Sequence, residues 1–181
     1  MPTNDLKLAR KRQSDIIYRA PCSEDGASVW RLVSSCAPLD ENSLYCNLLQ
    51  CDHFGDTCIA AERQSDGALV GWTSGYLIPD EPQTLFVWQV AVDETVQGKG
   101  VGKRMLTTLL DRDACRKVTA LKTTITAENK PSWGLFSSLA KVHGGEVHSE
   151  PYFRKDLHLD GRHATEHMVT IRFRSSVANA A

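Results

Sequence analysis

The apolar positions of this chain change period several times, and each change predicts an element. Residues 16–21 ("IIYRAP") form a short β-like run closed by proline. Val29, Trp30, Leu32 and Val33 then make the apolar face of a helix, with Ser23 placed to cap it. A second helix opens near Ser43, where Leu44, Leu48 and Leu49 recur at helical spacing, and Gly55 is expected to stop it. Residues 57–62 ("TCIAAE") and 69–79 ("LVGWTSGYLIP") read as strands around an Asp66-Gly67 turn, and "DEPQ" at 80–83 reads as a polar loop. The segment "TLFVWQVAVD" (84–93) is almost continuously apolar, which predicts a strand buried on both faces. Residues 101–115 are amphipathic, with Met105, Leu106, Leu109 and Leu110 inward and Lys103, Arg104 and Arg112 outward. A strand at 118–126, a helix from about Pro131 to Gly144-Gly145, and one or two strands at 147–158 and 167–174 complete the pattern. The reading is one mixed α/β domain over 15–175, with a flexible segment at 1–14 and a frayed tail at 176–181.

Composition narrows the function classes. The 181 residues are 41% hydrophobic and 24% charged, ordinary for a globular domain. A formal net charge of −1 supplies no basic field, so no nucleic-acid partner is expected; the basic "KLARKRQ" near the start is too short to alter that. No run approaches the roughly 18 apolar residues of a membrane helix, and no secretory signal follows the basic segment. A cytoplasmic protein without membrane contact is therefore expected. The six cysteines include no CxxC pair and read as reduced, mostly buried thiols. His163 and His167 stand at i, i+4 in "HATEH", but zinc there would need a helix and a third ligand, so no metal is expected.

The chemistry concentrates in "QGKGVG", residues 97–102, between the apolar strand and the amphipathic helix. Its glycines do not fall as GxGxxG, and it lacks the GxxxxGK[ST] spacing of a nucleotide P-loop. A helix N-terminus nevertheless presents unpaired N–H groups and the positive end of the helix dipole, and glycine lets an anion approach them. Lys99, Lys103 and Arg104 add positive charge nearby. Taken alone the hexapeptide fits a plain glycine-rich turn equally well.

The register Gln97-x-x-Gly100-x-Gly102, after "VAV" (Val90, Ala91, Val92) and before "ENKPSWGLFSSLA", resembles the GNAT N-acetyltransferases. The resemblance implies their fold: a mixed, mostly antiparallel sheet with helices on both faces and a splayed strand pair at the coenzyme A site. It implies acetyl-CoA as co-substrate, its diphosphate on Gln97, Gly98, Lys99, Gly100, Val101, Gly102 and Lys103. By the same resemblance Val90 to Val92 face the pantetheine and thioester, with the Val90 N–H holding the oxyanion. Asn129 then bonds the pantetheine and Ser132 lets it pass. Phe136 stands where many members carry the tyrosine that protonates the thiolate, so no general acid is assigned.

For the acceptor, "PLDENSLYCNLLQCDHFGDTCIAAE", "FVWQVAVD" and "LFSSLA" resemble the diaminobutyrate acetyltransferases of ectoine biosynthesis. The implied reaction acetylates the γ-amine of L-2,4-diaminobutyrate. Asp40, Tyr45 and Trp88 then line the acceptor pocket, and His163 and Glu166 serve as ammonium ligands or general base. Each also has a bland reading: a capping carboxylate, a packing ring, a core tryptophan, surface-loop charges. With Cys46 and Cys51 lacking an evident base, direct transfer is expected rather than an acetyl-cysteine intermediate. The family often forms homodimers, and a homodimer is expected. Another amine as acceptor, or a non-catalytic acyl-CoA sensor, are the alternatives.

Overall fold

The structure, a computed structural model, describes residues 15–37 and 39–174. The basic segment at 1–14 and the tail at 176–181 lie outside those residues.

Seven strands form one sheet in the order β1-β2-β3-β4-β5-β7-β6. They are β1 (Ile16–Arg19), β2 (Ile59–Arg63), β3 (Leu69–Ile78), β4 (Glu81–Val92), β5 (Ala120–Thr126), β6 (Glu146–Phe153) and β7 (Glu166–Arg172). The helices are α1 (Gly26–Ser35), α2 (Leu44–His53), α3 (Val101–Leu110), α4 (Lys130–Val142) and the single turn α5 (Lys155–His158). All neighbouring strands run antiparallel except β4 and β5, which are parallel. That pair is joined only from Thr84–Phe86 to Ala120–Lys122. Beyond Phe86 the two strands part, and the sheet opens into a cleft.

Two cores follow from the alternation of side chains. On one face Leu85, Val87 and Leu121 meet Met105, Leu106 and Leu109 of α3 and Leu139 of α4. On the other, Trp72 and Ala91 meet Val29, Leu32 and Val33 of α1 and Cys51 of α2. Each large side chain removed from water in this way contributes about 1.5–3 kcal/mol. The helices thus lie on both faces of the mixed sheet, as expected.

Several boundaries differ from the sequence reading. Ser23 does not cap α1. The turn before that helix is closed by Asp25, whose carboxylate accepts from the Cys22 N–H at 2.9 Å and from Arg19 at 2.7 and 2.8 Å. Helix α2 starts where expected and is capped by Ser43, whose Oγ accepts from Cys46 N at 3.1 Å, but it ends at His53, so Gly55 opens a short 3-10 turn instead of stopping the helix. Helix α3 stops at Leu110 and 113–115 form a separate 3-10 turn. The "DEPQ" loop is largely strand: a tight turn joins Ile78 to its partner Glu81, and Pro82 is tolerated because pairing with β5 begins only at Thr84. Nor is β4 buried on both faces. Trp88 is skipped in the β3 register between Gly75–Val87 and Ser74–Gln89, forming a bulge, and is 52% exposed. Finally, Glu166 and His167 belong to β7, so His163 and His167 do not share a helix face.

Candidate active site

The cleft between β4 and β5 has a backbone wall. The Asp93 N–H donates to Val70 O on β3 at 2.9 Å. Strand alternation then directs Ala91 to β3 and turns the amides of Val90 and Val92 toward the cleft, where β5 no longer pairs. The Val92 carbonyl is held there by the Gln97 side chain, whose Nε2 donates to it at 3.0 Å. Gln97 therefore braces the end of β4 on the glycine loop.

At the end of this wall lies the N-terminus of α3. Its N-cap is Gly100 in the left-handed region (φ +78°), a conformation that favours glycine, and no side chain caps the helix. The N–H groups of its first turn are left for an external acceptor. Gly102 follows in that turn, and a Cβ there would make ordinary contacts, 3.5 Å to Leu135 and 3.7 Å to Val92. Internal packing does not demand glycine at 102. Lys99 Nζ donates to Thr95 O at 2.8 Å and Arg104 stacks on Tyr18 at 5.8 Å, so both are partly committed, while Lys103 is exposed on the first turn. Gly98 (φ +72°) and Val101, the latter buried, complete the loop.

Across the cleft, Asn129 is the N-cap of α4, its Oδ1 accepting from Ser132 N at 3.2 Å. Its oxygen is thereby committed to the helix. Phe136 is 3% exposed and packs in the core with Leu139 and Ala140. It has no acidic proton, and nothing replaces the absent tyrosine at that position.

Of the acceptor candidates, Asp40, His163 and Glu166 lie near one another. Asp40, in the α1–α2 connection, is held on β4: its carbonyl accepts from Gln89 Nε2 at 2.9 Å. Glu166 opens β7 opposite Thr126 of β5, on the other side of the parted strands. Burial pushes its carboxyl above the ordinary range; the nearby Asp40 adds to that, while a hydrogen bond from Thr124 and the proximity of His167 and His163 oppose it. Asp40 from the α1–α2 connection, and His163 and Glu166 from just before and at the start of β7, thus share one electrostatic neighbourhood. Trp88 and Thr124 line an adjoining concavity of about 730 Å³ with Phe86, Met168, Tyr152 and Phe153. Tyr45, 68% exposed on the first turn of α2, is not among its lining residues.

Two contributors escaped the sequence reading. Thr124 sits in a β-branched run and looked like strand filler. Gln89 had a visible signal, a polar residue inside "FVWQVAV", which was read as part of the apolar strand. Three of the six cysteines are buried and offer no nucleophile. Burial pushes the thiols of Cys51 and Cys58 up to about 12 and that of Cys115 up to about 11, so they are not thiolates near neutral pH.

A parted parallel strand pair, backed by an uncapped glycine-led helix, matches a known architecture: the profile of the acetyltransferase (GNAT) family covers residues 27–140. The chain belongs to the GNAT acetyltransferase family. This acetyltransferase is 48% identical over 156 residues to the L-2,4-diaminobutyric acid acetyltransferase of Methylotuvimicrobium alcaliphilum, covering 86% of this chain and 90% of that protein. The protein of the same name from Vibrio cholerae is 42% identical over 160 residues, 88% of this chain and 91% of its own. Among solved structures, diaminobutyrate acetyltransferase EctA from Paenibacillus lautus, in complex with its substrate L-2,4-diaminobutyric acid and coenzyme A, superposes with a TM-score of 0.83. The two sequences are 36% identical, over 88% of this chain and 96% of that one. The NatC complex, at 15% identity and TM-score 0.70, shares the GNAT fold alone.

Proposed function

We propose that this acetyltransferase transfers acetyl from acetyl-CoA to the γ-amine of L-2,4-diaminobutyrate, the acetylation step of ectoine biosynthesis. The observation that carries the acceptor assignment is the nearness of Asp40 to Glu166, whose carboxyl is pushed above its ordinary range by burial first and by repulsion from Asp40 as well. A ligand bearing two ammonium groups relieves that repulsion; a monoamine leaves one carboxylate unpaired. The relatives and the solved structure that share most of this chain's length act on or hold that diamino acid.

Acetyl-CoA supplies the acyl group as a thioester. The uncapped amides of α3, Gly98, Gly100, Gly102 and Lys103 cradle its diphosphate, and Val90 to Val92 lie along its arm. Asn129 retains its Nδ2 for that arm, and Ser132 adds little bulk beside it. Asp40 takes the α-ammonium, with Trp88 walling the pocket. Glu166, assisted by His163, accepts the proton of the γ-ammonium and so releases the amine lone pair. The Val90 N–H donates to the carbonyl oxygen as it gains negative charge. Phe136 contributes packing alone, and the departing thiolate takes its proton from solvent or from the amine itself.

A cytoplasmic, homodimeric enzyme completes the proposal. Six free cysteines suit a reducing compartment, and no helix among the described residues is long and apolar enough to cross a membrane. Edge strand β6 is exposed along its whole length, including Val147, Tyr152 and Phe153, which suits a partner surface. The catalytic proposal is tested by incubating the enzyme with acetyl-CoA and L-2,4-diaminobutyrate and locating the acetyl group by NMR. Acetylation at the γ-nitrogen is expected; acetylation at the α-nitrogen would reverse the roles given to Asp40 and Glu166.

A further inference from the structure

We propose that Gln89 is a positioning residue for the acceptor site: its carboxamide fixes the Asp40 segment on β4 and so sets the carboxylate pair at the cleft's mouth. The proposal rests on the acceptor assignment above and adds to it the element that holds Asp40 in place.

The segment between α1 and α2 has no regular secondary structure from Leu39 to the Ser43 cap. Such a stretch would sample many backbone states, and ordering it on ligand binding would cost affinity. Cys36 Sγ, at the start of the connection, donates to Val92 O at 3.5 Å; from Leu39 to Ser43 the hydrogen bonds to the sheet among the described residues come from one side chain. Gln89 Nε2 donates to Asp40 O at 2.9 Å, and Gln89 Oε1 accepts from Asn42 Nδ2 at 3.1 Å. Both ends of the amide are used, on residues 49 and 47 positions away. The Gln89 side chain sits in a residue only 8% exposed, where an unmade hydrogen bond would be costly and a made one is geometrically strict.

The bulge explains why this position can serve. In a regular strand consecutive side chains point to opposite faces. Skipping Trp88 in the β3 register lets neighbours share one face. Trp88 lines the concavity while Gln89 reaches the α1–α2 connection above it. One irregularity therefore supplies both the wall of the acceptor pocket and the anchor of its carboxylate.

The position of Asp40 also governs the proton acceptor. Glu166 is faced by Asp40 from this connection, by Thr124 from β5, and by His163 and His167 flanking its own strand start. Burial, the larger cause of the raised Glu166 carboxyl, stays when Asp40 is released, but the repulsive charge goes, so the carboxyl falls part of the way toward its ordinary range.

The test uses Gln89→Ala and, since that site is buried, the half-buried Asn42→Ala as a variant that spares the core. Gln89→Ala is expected to raise the KM for L-2,4-diaminobutyrate by about tenfold, the scale of losing a held hydrogen-bonding pair. The KM for acetyl-CoA should stay within about twofold, and the acid limb of the kcat/KM profile should move to lower pH. Asn42→Ala should move the same quantities less, and the double variant should fall short of the sum, since the two side chains act as one unit. An unchanged diaminobutyrate KM in Gln89→Ala would overturn the proposal. So would equal losses toward both substrates with an unmoved pH profile, the mark of a purely structural role. A wild-type enzyme inactive on diaminobutyrate would instead remove the acceptor assignment itself, a result read in the same plate.

Discussion

Glu166→Gln lowers kcat for acetyl transfer by about 10²–10⁴-fold, the usual contribution of a positioned general base, with the KM for acetyl-CoA little changed. The amide keeps the shape and can still bond Thr124, but it cannot take a proton from an ammonium group. The wild-type pH dependence follows from the same residue. Burial first, then Asp40, hold the Glu166 carboxyl above the ordinary 4.5. The base is active when ionised, so kcat/KM falls as pH drops through that raised value, and this acid limb should disappear in the glutamine variant. Stability runs the other way. A carboxyl whose folded pKa is raised binds more protons folded than unfolded, so stability declines as pH rises through that window. At neutral pH Glu166→Gln should therefore be at least as stable as wild type by thermal melting. Loss of activity together with a lower Tm would count against the assignment.

Gly102→Asp raises the KM for acetyl-CoA by about hundredfold, because like charges forced together at a site cost several kcal/mol. The fold gives this substitution unusual discriminating power. A Cβ at 102 has room, with Leu135 at 3.5 Å, and the position lies in the first turn of α3. An acidic side chain there satisfies an uncapped helix N-terminus and favours the helix dipole. The variant should thus fold as well as wild type or better while repelling the diphosphate. Gly100→Val is a poorer probe, since the left-handed backbone at 100 strains any branched residue regardless of ligand. Initial-rate kinetics over a range of acetyl-CoA concentrations, with a melting curve, separate the two effects. An unchanged KM would remove the cradle assignment.

Much of this arrangement was legible before any coordinates, and the reasons differ by element. The strand–loop–helix at 84–110 combines an apolar run, glycines and a 3.6-residue period, each a local signal of its own. The start of α2 near Ser43 showed in the helical recurrence of Leu44, Leu48 and Leu49, while the Ser43 cap itself emerged from the structure. What stayed hidden depended on distant pairing. Glu81 to Gln83 have loop-like composition and become strand because β3 returns through a tight turn and pairs Ile78 with Glu81. The bulge at Trp88 has no local signature, since it exists only relative to β3. Asp40 and Glu166 were named from resemblance, but their proximity across the cleft is a product of the fold. Gln89 was passed over because its partners lie more than forty residues away. Asn129 was read for its ligand chemistry, and the structure adds a helix cap that uses the same oxygen.

The central claim is that the Asp40–Glu166 pair selects a short diamino acid. It is tested most directly by thiol release from acetyl-CoA with L-2,4-diaminobutyrate, ornithine, lysine and putrescine side by side. The site predicts a kcat/KM for diaminobutyrate at least about tenfold above ornithine and lysine, the scale on which a pocket discriminates by one or two methylenes. Equal turnover of ornithine or lysine, or thiol release no faster with diaminobutyrate than with buffer alone, would contradict it.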